Sequence, residues 1–359
     1  MSDTEDILFG RAGGVGTVLL NRPQALNAFT LGMYRQFDPM LLAWAGHPEI
    51  HAVLIEGAGE RAFCAGGDVR AVYEAGKGIS GDSNFTSVFF AEEYRIIRRI
   101  HRYSKPYIAI IDGITMGGGA GVSVNGAFRV ATERTMFAMP ETGIGLFPDV
   151  GATRFLNLCP GHVGRYLGLT GARLGAADAL YCGFATHFVP RERAPDVKAA
   201  LTSIVWQPGG ELTQVKTCLQ QFAADPGPSP LAARRAVIDR CFAGDTVEAI
   251  LDALERETTD PNWAEETRAI LLTKSPTSLR ITLRQLIVGQ KFDLEEALRL
   301  EYRLTQHVMA AHDFYEGVRA ALVDKDQKPR WQPGSLAEVD AAATQAYFAP
   351  LGQGELVFD

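Results

Sequence analysis

Short apolar segments alternate with helical patterns along the first half of the chain, and this alternation limits the possible folds more than any other feature. The apolar segments are residues 15–20, 52–55, 107–111 and 128–131. Helical patterns lie between them, for instance at residues 30–44 and 89–103. Such alternation of strand and helix is typical of α/β architectures. The sequence therefore predicts the α/β class.

The chain changes character after Gly151. Glycine-punctuated helices are expected at residues 161–169 and 176–181, followed by a brief apolar segment at residues 186–189. Residues 224–230 contain three prolines, which is typical of a linker. From residue 231 to about residue 322 the pattern is almost wholly helical, and Ser275-Pro276 predicts an N-cap with proline at the first helical position. We expect a core domain at residues 1–224 and a helical region at residues 225–359.

Composition and charge exclude two classes of function. A chain of 359 residues that is 47% hydrophobic and 21% charged is long enough to bury a large core. Its net charge of -7 argues against nucleic-acid binding, because a phosphate backbone requires a face rich in Lys and Arg. Its apolar runs fall short of the ~20 residues that a membrane span requires. We expect neither a nucleic acid nor a membrane as partner.

The cysteines and the first six residues bear on the cellular compartment. The five cysteines include no C-x-x-C pair, which favours free thiols in a reducing compartment. The start of the sequence is acidic and has neither a basic nor an apolar targeting segment. These features predict a cytoplasmic protein.

Two glycine-rich turns follow predicted strands and offer backbone N–H groups. One is Met116-Gly117-Gly118-Gly119-Ala120-Gly121, and the other is Phe63-Cys64-Ala65-Gly66-Gly67-Asp68. Such turns can serve packing or positive φ alone. N–H groups at the start of a helix also suit an oxyanion, and one such donor is worth roughly 10²–10³ in rate in other enzymes. We predict a two-donor oxyanion hole from Gly67 and Gly118.

Two carboxylates follow the glycine triplet closely in sequence. Glu141 comes after Phe137-Ala138-Met139-Pro140, and an apolar setting would raise its pKa and prepare it for proton transfer or attack. Asp149 lies eight residues further on. Each has a plain structural alternative, Glu141 as the start of a turn and Asp149 as the N-cap of the next helix. Their spacing, beside a predicted oxyanion hole, favours catalysis at a carbonyl group.

Other motifs disfavour competing chemistries. Neither glycine turn fits G-x-G-x-x-G or a Walker loop, so nucleotide binding is disfavoured. The seven histidines include no H-x-x-x-H pattern, so no metal site is expected. The segment around Ser123 lacks the second glycine of a nucleophile elbow, which disfavours a Ser-His-Asp hydrolase. Glu93 lies on a predicted helix, where a charged residue usually faces solvent.

These motifs resemble the enoyl-CoA hydratase/isomerase, or crotonase, superfamily. The matching elements occur in the family's order between about residues 15 and 190. The resemblance implies a crotonase-like spiral of ββα units, with a helical C-terminal region, that acts on acyl-CoA substrates. It places the oxyanion donors on Gly67 and Gly118 and implies no cofactor beyond the coenzyme A of the substrate. The implied substrate-binding residues are Ala65, Gly66, Asp68, Glu93, Gly118, Glu141 and Asp149.

Within the superfamily the sequence resembles the hydrolases of 3-hydroxyisobutyryl-CoA, which act in valine catabolism. Hydratases usually carry a catalytic glutamate where this chain has Gly121, whereas many members have glycine where it has Asp149. Both differences favour thioester hydrolysis by Glu141 and Asp149. An enoyl-CoA isomerase, an enoyl-CoA hydratase and a catalytically silent assembly subunit remain alternatives. A homo-oligomer is possible, and the sequence leaves its size open.

Overall fold

A computed structural model of the protein describes residues 5–358. Within that range the strands are β1 Ile7–Ala12, β2 Val15–Leu20, β3 Ala52–Gly57, β4 Ala62–Cys64, β5 Tyr107–Ile111, β6 Ile114–Met116, β7 Phe128–Ala131, β8 Met136–Ala138 and β9 His187–Phe188. The helices are α1 Leu31–Gly46, α2 Val69–Gly76, α3 Phe85–His101, α4 Gly118–Val124, α5 Ala152–Phe155, α6 Val163–Thr170, α7 Ala176–Tyr181, α8 Ala194–Thr202, α9 Glu211–Gln220, α10 Pro230–Cys241, α11 Val247–Glu255, α12 Pro261–Leu272, α13 Pro276–Val288, α14 Leu294–Met309, α15 Asp313–Val318 and α16 Ala341–Ala346.

A six-stranded sheet has the strand order β1-β2-β3-β5-β7-β9. Strand β1 pairs antiparallel with β2, and the remaining pairs are parallel. The predicted strands at residues 15–20, 107–111 and 128–131 have the observed bounds, and β3 runs two residues beyond its predicted end. The α/β class is confirmed.

A second sheet of three strands has the order β4-β6-β8. Each of these strands has three residues. The sequence did not predict them, because three residues are too few to establish an alternating pattern. Strand β6 ends directly before the glycine triplet, so a short strand separates that triplet from the long strand β5.

Contacts divide the chain into two compact units. Unit 1 contains residues 5–67, 95–137 and 173–230, whereas unit 2 contains residues 68–94, 138–172 and 231–358. The sequence placed a single division between residues 224 and 225, and that assignment stays a prediction. The division by contacts differs from this single boundary because helices of the C-terminal third pack on earlier segments. Helix α13 packs on α6, and α14 packs on α5.

Unit 1 is built around the six-stranded sheet. Helices α8 and α9 cover the sheet with Val197, Leu201, Val215 and Leu219, which share an apolar core with strand residues. The core residues on the strands are Val15, Ala52, Leu54, Ile108, Ile110, Phe128 and Val130. Full burial of one such side chain contributes roughly 1.5–3 kcal/mol. This core holds β3 and β5, which precede in the chain the short strands β4 and β6 that end at the glycine turns.

Unit 2 is helical. The predicted N-cap is confirmed, since Ser275 Oγ accepts a hydrogen bond from the Ser278 N–H (3.0 Å) and Pro276 opens α13. Residues 223–229 contain no helix or strand, in agreement with the linker predicted at residues 224–230 except that Pro230 already opens α10. No helix within residues 5–358 has the length and apolar character needed to cross a membrane. The five cysteines of the chain are buried as thiols.

Candidate active site

Glu141 opens a 3₁₀ turn, Glu141–Ile144, directly after Pro140. The Thr142 hydroxyl donates to the Leu169 carbonyl at the end of α6 (3.0 Å), and the Ser275 N–H donates to the Thr142 carbonyl (3.2 Å). Helix α15 packs against the same turn. Glu141 therefore starts a turn, as the structural alternative in the sequence analysis proposed. Contacts from α6, α13 and α15 hold this turn in place.

The Glu141 carboxyl group is buried and incompletely hydrogen-bonded. Its side chain is 5% exposed, and its Oε2 atom has no hydrogen-bond partner among the described residues. An unsatisfied buried acceptor costs about 1–3 kcal/mol, so such groups usually have a functional reason. Burial raises the pKa of Glu141 well above its ordinary value, and the charges of Asp149 and Glu93 raise it further.

Asp149 is buried in the same unit and is oriented by a tyrosine. The Tyr94 hydroxyl donates to Asp149 Oδ2 at 2.7 Å, and Asp149 is 4% exposed. Burial raises the pKa of Asp149 to about 6, although the Tyr94 hydrogen bond lowers it. The N-cap alternative is wrong, because Gly151 caps α5 and the Asp149 side chain bonds elsewhere.

Tyr94 remains a neutral donor at all ordinary pH values. The residue is fully buried on α3, and its ring meets that of Tyr302 edge-on at 6.4 Å. Burial raises the pKa of Tyr94 well above 10, and the nearby charges of Asp149, Glu301 and Glu93 act in the same direction. Its hydroxyl hydrogen is therefore always available to Asp149.

Two buried polar side chains hold the backbone on either side of Asp149. From α14, Glu301 accepts hydrogen bonds from the Gly151 N–H (2.7 Å), the Thr153 N–H (2.8 Å) and the Thr153 hydroxyl (2.7 Å). From α13, Gln285 Nε2 donates to the Pro148 carbonyl (2.7 Å) and to Thr153 Oγ1 (2.7 Å). Both side chains are completely buried.

Glu93 and Asp68 differ in how the structure uses them. Glu93 is 2% exposed on α3, and its charge raises the pKa values of Glu141 and Tyr94. It therefore forms a buried carboxylate cluster with Glu141, Asp149 and Glu301. Asp68 caps α2 by accepting a hydrogen bond from the Ala71 N–H (3.2 Å). The predicted contact of each with substrate stays a prediction.

The two glycine turns lie next to each other in unit 1. A Cβ atom added to Gly66, whose φ is +122°, would lie 3.6 Å from the Gly118 nitrogen. Gly118 is the first residue of α4, so its N–H has no carbonyl partner within the helix. Gly67 pairs with Phe29 in an isolated bridge, and the Ala65 N–H donates to the Leu26 carbonyl (3.0 Å). Their roles in an oxyanion hole stay predictions.

The carboxylate cluster can perform acid–base or nucleophilic chemistry. Glu93, Glu141, Asp149 and Glu301 are all buried and interact electrostatically, and burial raises the pKa values of Glu141, Asp149 and Glu301. Carboxyl groups with raised pKa values are suited to proton transfer near neutral pH. Among residues 5–358, no group of three His, Cys, Asp or Glu side chains is arranged to hold a metal ion.

Comparison with known proteins identifies the family. The family model described as enoyl-CoA hydratase/isomerase matches residues 15–348, which is most of the chain. The chain belongs to the enoyl-CoA hydratase/isomerase family. The resemblance predicted from the sequence motifs is therefore confirmed, and the match also covers most of the C-terminal helices.

Relatives in this family are similar over nearly their full length. The 3-hydroxyisobutyryl-CoA hydrolase, mitochondrial, of Xenopus laevis is 48% identical over 97% of this chain and 90% of its own. The protein of the same name from Homo sapiens is 44% identical over 99% of this chain and 91% of its own. A carnitinyl-CoA dehydratase structure from Mycobacterium thermoresistibile has a TM-score of 0.90 and 42% identity, with 99% of each chain covered. The crotonase fold with a helical C-terminal region is confirmed.

The predicted cytoplasmic location is wrong. The relatives from Xenopus laevis and Homo sapiens are both named as mitochondrial proteins. The prediction used the composition of the first six residues, of which residues 1–4 lie outside the described range. The absence of a recognisable targeting pattern is weak evidence, because it does not select one compartment over another.

Sequence reasoning missed three members of the buried network around Asp149: Tyr94, Gln285 and Glu301. For Glu93 the plain alternative of a solvated helix face is wrong, because the residue is buried. A signal for Glu301 was available, because the residue lies in line with the buried residues Leu294, Leu298, Thr305 and Val308 of α14. A glutamate in the apolar stripe of an amphipathic helix must have a specific partner.

Proposed function

We propose that the protein hydrolyses 3-hydroxyisobutyryl-CoA to 3-hydroxyisobutyrate and coenzyme A. The observation behind this proposal is the buried pair Glu141 and Asp149, whose carboxyl groups interact and have raised pKa values. Relatives that are 44% and 48% identical over nearly the whole chain are named for this activity. An acidic pair in a buried setting is suited to attack on a thioester carbonyl.

In the proposed mechanism, the backbone N–H groups of Gly67 and Gly118 bind the thioester oxygen as negative charge develops on it. Glu141 then acts on the carbonyl carbon by one of two routes. It either attacks directly, so that the C–S bond breaks and an anhydride forms that water then hydrolyses, or it activates a water molecule whose attack breaks the C–S bond. Asp149 orients the water or the substrate hydroxyl and assists release of coenzyme A. We propose no metal or redox cofactor, because these steps need only acid–base groups and amide donors.

The residue at position 121 distinguishes hydrolysis from hydration. Hydration of an enoyl-CoA uses two carboxylates across the double bond, and this chain has Gly121 where such members usually have one of them. Loss of an acid–base partner typically costs roughly 10²–10⁴-fold in rate. Hydration is nevertheless the second candidate, because a structure 42% identical to this chain is named as a carnitinyl-CoA dehydratase.

An assay of two substrates tests the proposal. Thiol release from 3-hydroxyisobutyryl-CoA is measured beside loss of the conjugated double bond of crotonyl-CoA, at equal enzyme and substrate concentrations. We expect thiol release to be the faster reaction by at least ~10²-fold. Faster hydration of crotonyl-CoA would replace the proposal with the second candidate, and inactivity on both would favour an assembly subunit.

Substitution of the two acids tests the mechanism. We expect Glu141→Gln and Asp149→Asn each to reduce thiol release by at least ~10²-fold and to leave the fold intact, because each substitution keeps the shape of the side chain and removes its ability to exchange a proton. Matched controls are Glu255→Gln and Asp252→Asn on α11, whose side chains are 67% and 62% exposed. Full activity in either active-site variant contradicts the mechanism.

A further inference from the structure

The turn that contains Asp149 has an unfavourable backbone conformation. Val150 has φ +57°, in the left-handed region, and it is a β-branched residue. Side chains of this type rarely adopt that region, and such a residue costs on the order of 1–3 kcal/mol. The turn therefore requires support from its surroundings to keep this shape.

The support comes from α13 and α14, on both sides of Asp149. Gln285 bonds to the Pro148 carbonyl before Asp149, and Glu301 bonds to the Gly151 and Thr153 N–H groups after it. The Thr153 hydroxyl joins the two supports, because it donates to Glu301 Oε1 and accepts from Gln285 Nε2. These five bonds are between 2.7 and 2.8 Å long and are all buried.

We infer that Glu301 is a positioning residue, which acts together with Gln285 to hold the strained Pro148–Gly151 turn so that the Asp149 carboxyl group stays in its catalytic position. The inference rests on the proposed function, because Glu301 matters for the reaction only by keeping Asp149 in place. The hydrogen bonds of Glu301 go to the backbone and hydroxyl groups that follow Asp149, and Glu301 contacts no reacting atom in the proposed mechanism.

The chemistry of Glu301 fits this purpose closely. All three of its hydrogen bonds are accepted ones, two from backbone N–H groups and one from a hydroxyl. A glutamine has nearly the same shape, but its amide nitrogen would face an N–H donor and one bond would be lost. The Tyr94 hydroxyl fixes the Asp149 side chain, whereas Glu301 and Gln285 fix the backbone that carries it.

A double-mutant cycle separates positioning from general stability. Thiol release is measured for the wild type, Glu301→Gln, Asp149→Asn and the double variant, with thermal unfolding of each. We expect Glu301→Gln to lower kcat by about 10–10²-fold with a smaller change in KM, since a displacement near 1 Å can cost ~10²-fold. In the Asp149→Asn background the same substitution should change kcat by less than about 3-fold.

Control variants refine the test. Glu295 lies on the same helix in a partly buried ion pair with Arg299, away from the Asp149 turn, and Glu295→Gln should leave the rate unchanged. If Glu301→Gln fails to fold, Thr153→Val removes the hydroxyl that joins the two supports, and Thr153→Ser retains it. We then expect loss of kcat in Thr153→Val and near-normal kcat in Thr153→Ser.

A crystal structure of Glu301→Gln provides a readout that does not depend on activity. We expect the Asp149 carboxyl group to move by about 1 Å or more relative to the wild-type crystal structure. If the wild type is active, the positioning role is contradicted when the Asp149 carboxyl group does not move in Glu301→Gln. It is also contradicted when Glu301→Gln lowers kcat equally in the wild-type and Asp149→Asn backgrounds. A wild type that releases no thiol overturns the proposed function instead, and the displacement of Asp149 then decides the positioning role alone.

Discussion

The Glu141 carboxyl group illustrates how a side chain can be stable in place and still reactive. Its turn is held by α6, α13 and α15, yet its Oε2 atom has no hydrogen-bond partner among residues 5–358. A fully satisfied carboxylate would be a poor base, because its partners would have to be lost before it could accept a proton. The unsatisfied atom is therefore consistent with the role proposed for Glu141.

The Tyr94 hydroxyl offers a test of pH dependence at one atom. Its hydrogen bond stabilises ionised Asp149 and so lowers the pKa of that carboxyl group. In Tyr94→Phe the pKa of Asp149 should rise, and the acid limb of kcat/KM for thiol release should move to higher pH by about one pH unit. Activity should therefore fall more at pH 6 than at pH 8.

The matched control for this test is Tyr103→Phe, whose hydroxyl bonds to the Leu41 carbonyl in unit 1. Its pH profile should equal that of the wild type. An acid limb that stays in place, or moves to lower pH, in Tyr94→Phe contradicts the electrostatic account of Asp149.

Sequence reasoning at this scale identified residues that stand in recognisable motifs. Glu141 and Asp149 follow the glycine triplet within 32 positions, so a single segment indicated both. Tyr94, Gln285 and Glu301 approach Asp149 from distant parts of the chain, with separations of 55 to about 150 residues. Contacts of such range depend on the tertiary fold, which local patterns do not specify.

At the scale of elements, close packing between α4 and β4 makes the glycine triplet sensitive to size. A Cβ atom at Gly119 would lie 2.2 Å from the Cys64 carbonyl oxygen, which is a backbone atom and cannot move aside cheaply. Gly119→Ala should lower the free energy of unfolding by about 1–3 kcal/mol. It should also reduce thiol release at least ~10-fold, because the neighbouring Gly118 N–H is a proposed oxyanion donor.

Gly46→Ala is the matched control, since it makes the same change at the end of α1 with no atom within 4 Å of the new Cβ. We expect unchanged activity and equal or slightly higher stability. Urea unfolding and the thiol assay measure both effects. Wild-type stability and activity in Gly119→Ala would show that α4 can shift without consequence.

Predictability of the elements depended on their length and periodicity. Strands β2, β5 and β7 and helix α7 have the predicted bounds, because each is a distinct apolar or amphipathic run between turn signals. The three-residue strands β4, β6 and β8 were not predicted. Strand β1 was also missed, because Ile7-Leu8-Phe9 is a continuous apolar run and the residues after it are all exposed, so the segment has no alternation of apolar and polar residues.

For the molecule as a whole, the buried carboxyl groups make stability depend on pH. In the folded protein the pKa values of Glu141, Asp149 and Glu301 are raised, the last to about 8, whereas in the unfolded chain they are ordinary. The folded state therefore binds more protons between about pH 4 and pH 8. Its free energy of unfolding should fall as pH rises through this window.

Glu141→Gln should reduce this decrease in the free energy of unfolding, because it removes one of the three carboxyl groups whose pKa values are raised in the folded protein. At pH 8 we expect the variant to exceed the wild type by more than about 1 kcal/mol in free energy of unfolding, with a smaller difference at pH 5. Urea unfolding at both pH values measures this, with Glu255→Gln as the exposed control. Equal stability of variant and wild type at pH 8 would contradict the raised pKa of Glu141.

The five cysteines bear on how this molecule can be studied. Each is at most 7% exposed, and burial raises the pKa of Cys218 and Cys241, the latter to about 11. Thiolates are the reactive form, so these groups react slowly while the protein remains folded. A colorimetric reagent for sulfhydryl groups can therefore record coenzyme A as it leaves the enzyme, with little background from the enzyme itself.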